Sequence, residues 1–194
     1  FKPIALEKRY DVLFVGRLAS NKGIMLLLEA VRQLRQTRPM IRVALRGDGP
    51  LRTEVEATIA AHEMQQHVVL LPRLPDNSAL ARLYNQSRML VCASTVEGNP
   101  RVTVEAMACG IPVITTPVGI MPEIMTHEQS GLFFEGDSAT LAQHMDDLLT
   151  QPDKAQAIGQ QGQEAASAFD VKSIVERYAT AYHHLIENGI CDTP

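Results

Sequence analysis

The sequence predicts an α/β fold, a doubly wound parallel sheet of about six strands with helices on both faces. Three observations point to it. Short apolar runs at 10–15, 41–45, 68–71, 89–92, 113–115 and 131–134 alternate with longer stretches of helical periodicity. The runs lack polar alternation, as expected of strands covered on both faces. Several end in glycine-bearing turns that lead directly into a helix, as at Gly16, Gly47 and Gly98.

In chain order, residues 1–9 read as the polar remnant of a linker. The run Tyr10–Val15 ends at Gly16 and gives way, through Arg17-Leu18-Ala19-Ser20-Asn21-Lys22-Gly23, to a helix over Ile24–Leu34 that Pro39 closes. The second strand is expected at 41–45, followed by a tight turn at 46–50 and a helix running to about Met64. A third strand at Val68–Leu71 precedes Pro72-Arg73-Leu74-Pro75, and Asp76 opens a helix through Tyr84. The fourth strand, 89–92, turns into a helix with Asn99 as its N-cap and Pro100 as its first residue. Gly110 ends that helix and Pro112 stops it before the strand Val113–Thr115. A last strand at 131–134, a helix from Asp137 or Ser138 to about Leu149, and two helices at 152–168 and 171–188 complete the domain. Residues 189–194 read as a frayed tail.

At 194 residues the chain is one domain's worth, with 45% hydrophobic and 21% charged residues. A net charge of -4 and no basic stripe disfavour nucleic acid as a partner. The three cysteines, Cys92, Cys109 and Cys191, have no CxxC spacing, which fits a reducing, cytoplasmic compartment. No apolar run approaches the roughly 20 residues of a membrane-spanning helix. The chain opens on Phe1-Lys2-Pro3 with neither an initiator methionine nor a signal-peptide pattern, so a piece of a longer protein is expected. The histidines have no metal-ligand spacing, and no nucleophile elbow or Walker-type phosphate loop occurs.

The chemistry concentrates in Ser94-Thr95-Val96-Glu97-Gly98-Asn99-Pro100-Arg101-Val102-Thr103-Val104-Glu105. Pro100 lacks an amide hydrogen, so the first free donors of the helix would be the Arg101 and Val102 amides, at the positive end of the helix dipole. The Arg101 side chain would add a full charge if it turned the same way as those amides. Seven residues separate Glu97, on the loop, from Glu105, in the helix body. Two carboxylates so placed suit gripping two hydroxyl clusters of one extended ligand better than sharing a proton. Arg17 and Lys22 bracket another strand-to-helix turn, where open α/β sheets place ligands.

Glu97-x7-Glu105 within EGNPRVTVEAMACGIPVITTPVG resembles the signature segment of the family-4 (group 1) retaining glycosyltransferases, which use nucleotide sugars and have the two-domain GT-B architecture. GRLASNKG resembles the Gly-Arg-Leu…Lys-Gly segment of the same family, and the likeness covers about residues 10–188. It implies that this chain is the Rossmann-like C-terminal half of a GT-B fold, with the N-terminal acceptor domain absent. It implies catalytic roles for Glu97 on the donor sugar and for Arg17 and Lys22 on the diphosphate and departing nucleotide. Substrate-binding roles fall on Gly16, on Gly98, Asn99, Pro100, Arg101 and Val102 around phosphate and sugar, on Glu105 at the ribose, and on Arg73 and Leu74 against the base.

The chain departs from the family at Arg46, Pro72, Arg73 and Ile120, and Arg46 receives no role. No cofactor and no metal are implied; the donor would be a UDP-, GDP- or ADP-sugar. The acceptor would be a saccharide or lipid-linked, with the complete protein cytoplasmic or peripheral at the inner membrane face. Retention of configuration and a part in polysaccharide biosynthesis follow from the resemblance alone. The alternatives are a non-catalytic nucleotide-sugar-binding or regulatory module, and another GT-B enzyme such as a phosphorylase or epimerase.

Overall fold

The computed structural model describes residues 1–169 and 171–188; the expected tail at 189–194, including Cys191, lies outside them. Six strands, β1 (Tyr10–Val15), β2 (Val43–Arg46), β3 (Val68–Leu71), β4 (Ser87–Cys92), β5 (Val113–Thr115) and β6 (Leu132–Phe133), form one sheet in the order β3-β2-β1-β4-β5-β6. Every neighbouring pair is parallel. Eight helices accompany them among the described residues: α1 (Ile24–Leu34), α2 (Arg52–Ala61), α3 (Asn77–Asn85), α4 (Arg101–Ala108), α5 (Met121–Ile124), α6 (Ser138–Thr150), α7 (Pro152–Ser167) and α8 (Val171–Asn188). The fold class read from the sequence is thus the observed one.

The central strand explains the layering. β1 pairs with β2 and β4, setting Leu13 beside Ala44 and Leu90, and alternate residues face opposite layers. Val12 and Phe14 pack with Leu27, Val31 and Met145 under α1 and α6, while Leu13 and Val15 pack with Leu83, Tyr84, Ala106 and Met107 under α3 and α4. Strand order reverses between β1 and β4, so the loops after those strands diverge to opposite faces and leave a crevice at their carboxyl ends.

Local chemistry fixes the boundaries. Asp76 and Asp137 cap α3 and α6 by accepting from the amides of Ala79 and Thr140 at 2.8 and 2.7 Å. β2 starts two residues later than expected, because the Ile41 amide closes the turn after α1 by donating to the Arg38 carbonyl at 3.0 Å. It also extends through Arg46, which pairs with Val15 and Leu71 instead of opening the turn. α2 ends at Ala61, before the expected Met64, and Glu63 then takes a left-handed conformation at φ 53. Residues 1–9 form no regular element but lie on the α3–β4 corner: Asn85 accepts from the Ile4 amide at 2.7 Å, and Lys8 donates to the Asn85 and Ser87 carbonyls.

One surface cluster carries a pH dependence. Glu29 of α1 accepts from Arg32 at 2.7 Å and from Gln33 at 3.0 Å, and Gln33 also donates to Ser138 of α6 at 3.0 Å. Those hydrogen bonds, Arg32 first, hold the Glu29 carboxyl down at about 2. A depressed folded-state value means that the contribution is present above the ordinary value of 4.5 and is lost as pH falls toward about 2. Because the pair is solvent-screened, the effect is small. Unfolding titrations of Glu29→Gln against the unmodified protein are expected to converge at pH 2 and separate above pH 4.5; a constant offset would refute this.

Candidate functional site

The crevice is assembled from three loops. The first leaves β1 at Gly16, whose amide donates to the Arg46 carbonyl at 3.0 Å, and is tied to the β2–α2 turn by Leu18 donating to the Asp48 carbonyl at 2.9 Å. A single 3-10 turn, Ser20–Lys22, leads to Gly23 at φ 65. A Cβ on Gly23 would stand 2.0 Å from the Ala93 carbonyl oxygen, so only glycine lets this loop close on the end of β4. The Asn21 carbonyl accepts from the Thr95 amide at 2.9 Å, fastening the first loop to the second.

That fastening brings Lys22 onto Glu97. The Lys22 ammonium and the Glu97 carboxylate form a hydrogen-bonded ion pair, with side-chain exposures of 24% and 17%. The buried Ser94 hydroxyl donates to the same Glu97 oxygen at 3.0 Å, and the Ser94 carbonyl accepts from Thr116. The third loop, after β5, closes beneath. Gly119 at φ 54 presses its backbone on the Gly98 carbonyl, which accepts from the Ile120 amide at 3.2 Å. Ile120, a departure from the family pattern, therefore contributes its backbone here.

The start of α4 corrects three expectations. Its first residue is Arg101, with Pro100 as the capping position at φ -73 and ψ 81; Asn99 does not cap through its side chain. Thr103 closes this first turn through its amide, 2.9 Å from the Pro100 carbonyl, and through its hydroxyl on the same oxygen. The Arg101 amide donates to the Asn99 carbonyl at 2.9 Å, so it is not a free donor. The Arg101 guanidinium, 80% exposed, lies 3.6 Å from Glu105 along the helix rather than beside Glu97.

Glu105 is only 15% exposed, and its other oxygen accepts from the Tyr84 hydroxyl at 3.0 Å. Tyr84 is fully buried; burial, then the Glu105 charge, pushes its ionisation far above the ordinary tyrosine range, so it remains a donor. Beside Glu105 opens a cleft of about 560 Å³, lined in part by Asn99, Arg101, Val104 and Gln163. The two acids are thus held separately, Glu97 by the β1 loop and Glu105 by α3, as their spacing suggested.

Of the remaining sequence candidates, Arg17 is exposed at the mouth of the first loop and Val102 is half-buried. Arg73 is exposed after β3, whereas Leu74 packs on the α3–α4 side of the core. Ser94 and Tyr84 escaped sequence reasoning, since a serine after an apolar strand and a tyrosine in a helix carry no local signal of their acidic partners. Among the described residues no group of three or more His, Cys, Asp or Glu side chains is arranged to hold a metal ion, and no helix is long and apolar enough to cross a membrane.

The class defined by these features is a doubly wound α/β domain with paired basic and acidic groups at its switch point, the place where open α/β sheets hold ligands. Residues 1–165 match the family model described as glycosyl transferases group 1, and the chain belongs to that family. It is 29% identical to spore coat protein SA of Bacillus subtilis over 188 residues, covering 92% of this chain and 50% of that protein. It is similar to the C-terminal domain of a group 1 glycosyl transferase, LpcC, from Francisella tularensis, with a TM-score of 0.77 and 23% identity over 84% of this chain and 87% of that one. HepE of Anabaena, solved in complex with UDP, gives a TM-score of 0.81 and 27% identity over 91% of this chain and 49% of that one. The chain spans half or less of the length of the curated relatives it matches, 50%, 40% and 48% for three of them.

Proposed function

We propose that this chain is the donor-binding half of a retaining glycosyltransferase that moves a hexose from a nucleoside-diphosphate sugar to a saccharide or lipid-linked acceptor. The observation that carries the reading is the Lys22–Glu97 pair at the switch point, beside a second acid, Glu105, already oriented by Tyr84. In this reading Glu105 takes the ribose hydroxyls, Arg17 and Lys22 the diphosphate, and Glu97 the sugar hydroxyls. Gly16, Gly98, Asn99, Pro100, Arg101 and Val102 border phosphate and sugar, and Arg73 and Leu74 lie against the base.

Transfer breaks the bond between the anomeric carbon and the phosphate oxygen, and negative charge builds on the departing diphosphate. A lysine already held in the crevice stabilises that charge more in the transition state than in the ground state and needs little reorganisation. Glu97 keeps Lys22 in place and has a second carboxylate oxygen for the sugar. In this reading Lys22 and Arg17, rather than a metal ion, neutralise the leaving group.

The acceptor is assigned to a further domain of a longer protein. Supporting this, α8 carries an exposed apolar stripe, Val175, Tyr178, Tyr182, Leu185 and Ile186, at helical spacing. The complete protein is proposed to work in the cytoplasm, reaching membrane-bound acceptors through that domain.

Calorimetric titration with UDP, GDP and ADP tests the donor site. One nucleotide is expected to bind selectively, and Arg17→Ala and Glu105→Ala are each expected to weaken it by about 1–3 kcal/mol, as for lost charged hydrogen bonds. Undiminished binding by both variants would sink the assignment.

A further inference from the structure

Arg46 is a cation that the proposed site does not use. It is the last residue of β2, and strand alternation puts its side chain on the same face as Ala44, within the α3–α4 layer that holds Tyr84. Its register partners Val15 and Leu71 pack in that layer too. Arg46 is half-buried, yet its Nε is fully buried and meets no acceptor among the described residues. Its charge reaches the Tyr84 hydroxyl, the group that orients Glu105.

A guanidinium nitrogen withdrawn from water with no acceptor among the described residues is a costly feature to keep in a fold. Its position suggests what offsets that cost. Along the carboxyl edge of the sheet, β3 leads to Arg73 and Leu74, β2 ends at Arg46, and β1 leads to Arg17 and Lys22. Arg46 therefore stands between the residues assigned to the base and those assigned to the diphosphate, on the side facing Tyr84 and Glu105.

We propose that Arg46 is a base-selecting residue: its guanidinium donates to ring carbonyl oxygens of the donor nucleotide's base. Burial of Nε fixes the plane of the group, and the terminal nitrogens are the donors presented to the ligand. Arginine has donors only, so it matches a base edge carrying carbonyl oxygens, as in uracil or guanine, and mismatches the exocyclic amine of adenine. The inference rests on the donor-site reading above and adds base selectivity to it.

The test is calorimetry with UDP, GDP and ADP on the unmodified chain, Arg46→Met, Arg46→Lys and Glu105→Ala, with thermal unfolding of each protein free of nucleotide. The unmodified chain is expected to prefer UDP or GDP to ADP, and which of the two wins identifies the base. Arg46→Met is expected to weaken the preferred nucleotide about tenfold and ADP less than about twofold, as for one lost charged hydrogen bond. Its melting temperature should be unchanged or higher, since an unpaired buried donor is gone. Arg46→Lys keeps the charge without the planar fork and should lose selectivity as well, which covers the case of Arg46→Met failing to fold. Glu105→Ala should weaken all three nucleotides alike. Unchanged selectivity in both Arg46 variants while Glu105→Ala still weakens binding, or preference of the unmodified chain for ADP, overturns this inference alone. Absence of any nucleotide binding overturns it together with the donor-site reading.

Discussion

Replacing Lys22 by alanine is expected to lower kcat for sugar transfer by the complete protein on the order of 10²–10³-fold, the effect of removing one preorganised donor from developing negative charge. The change should fall mainly on kcat, because the stabilisation grows as the bond to the diphosphate breaks and is smaller in the ground state. The structure adds a second consequence. Lys22 is the ion-pair partner of Glu97, and without it Glu97 keeps, among the described residues, only the Ser94 hydroxyl, 3.0 Å away. Lys22→Ala and Glu97→Gln should therefore be non-additive, the double variant costing less than the product of the single effects. Steady-state kinetics on the four proteins checks both points. A Lys22→Ala enzyme within about threefold of the unmodified rate would remove Lys22 from the leaving-group role.

Gly23→Ala is expected to destabilise the fold on the order of 3–5 kcal/mol, at the severe end for single substitutions. Two causes combine: φ 65 strains any L side chain, and the added Cβ would stand 2.0 Å from the Ala93 carbonyl oxygen, a backbone atom that cannot step aside. Gly136→Ala separates them. Gly136 has φ 81 with nothing near the position of its Cβ, so that substitution should cost only the conformational strain, about 1–2 kcal/mol. Denaturant unfolding of both variants gives the difference. Equal losses would mean that the close approach of the first loop to β4 contributes nothing to stability.

The site was legible to different depths. Arg17 and Lys22 stood out because they bracket a glycine-flanked turn after a buried run, and Glu97 and Glu105 because their spacing places one on a loop and one on a helix. The helix start was misjudged by one residue, since Asn-Pro favours a cap at asparagine on local grounds, while Thr103 bonding to the Pro100 carbonyl settles the cap one position later. Arg101, expected to add its charge to the helix end if it turned that way, runs along α4 to Glu105 instead; side-chain direction depends on what lies beside the helix.

By itself the sequence determined the sheet, the helices and the positions of the loops, because apolar runs, caps and glycine turns act over a few residues. It also marked the acidic pair and the basic loop. Only the tertiary structure decided who meets whom: Lys22 with Glu97 across 74 intervening residues, Tyr84 with Glu105, and Arg46 left without a partner for its buried Nε among the described residues. These contacts follow from strand order, which brings β1 beside β4 and β2 beside β1, and strand order is set by the packing of both faces at once rather than by any local stretch of residues.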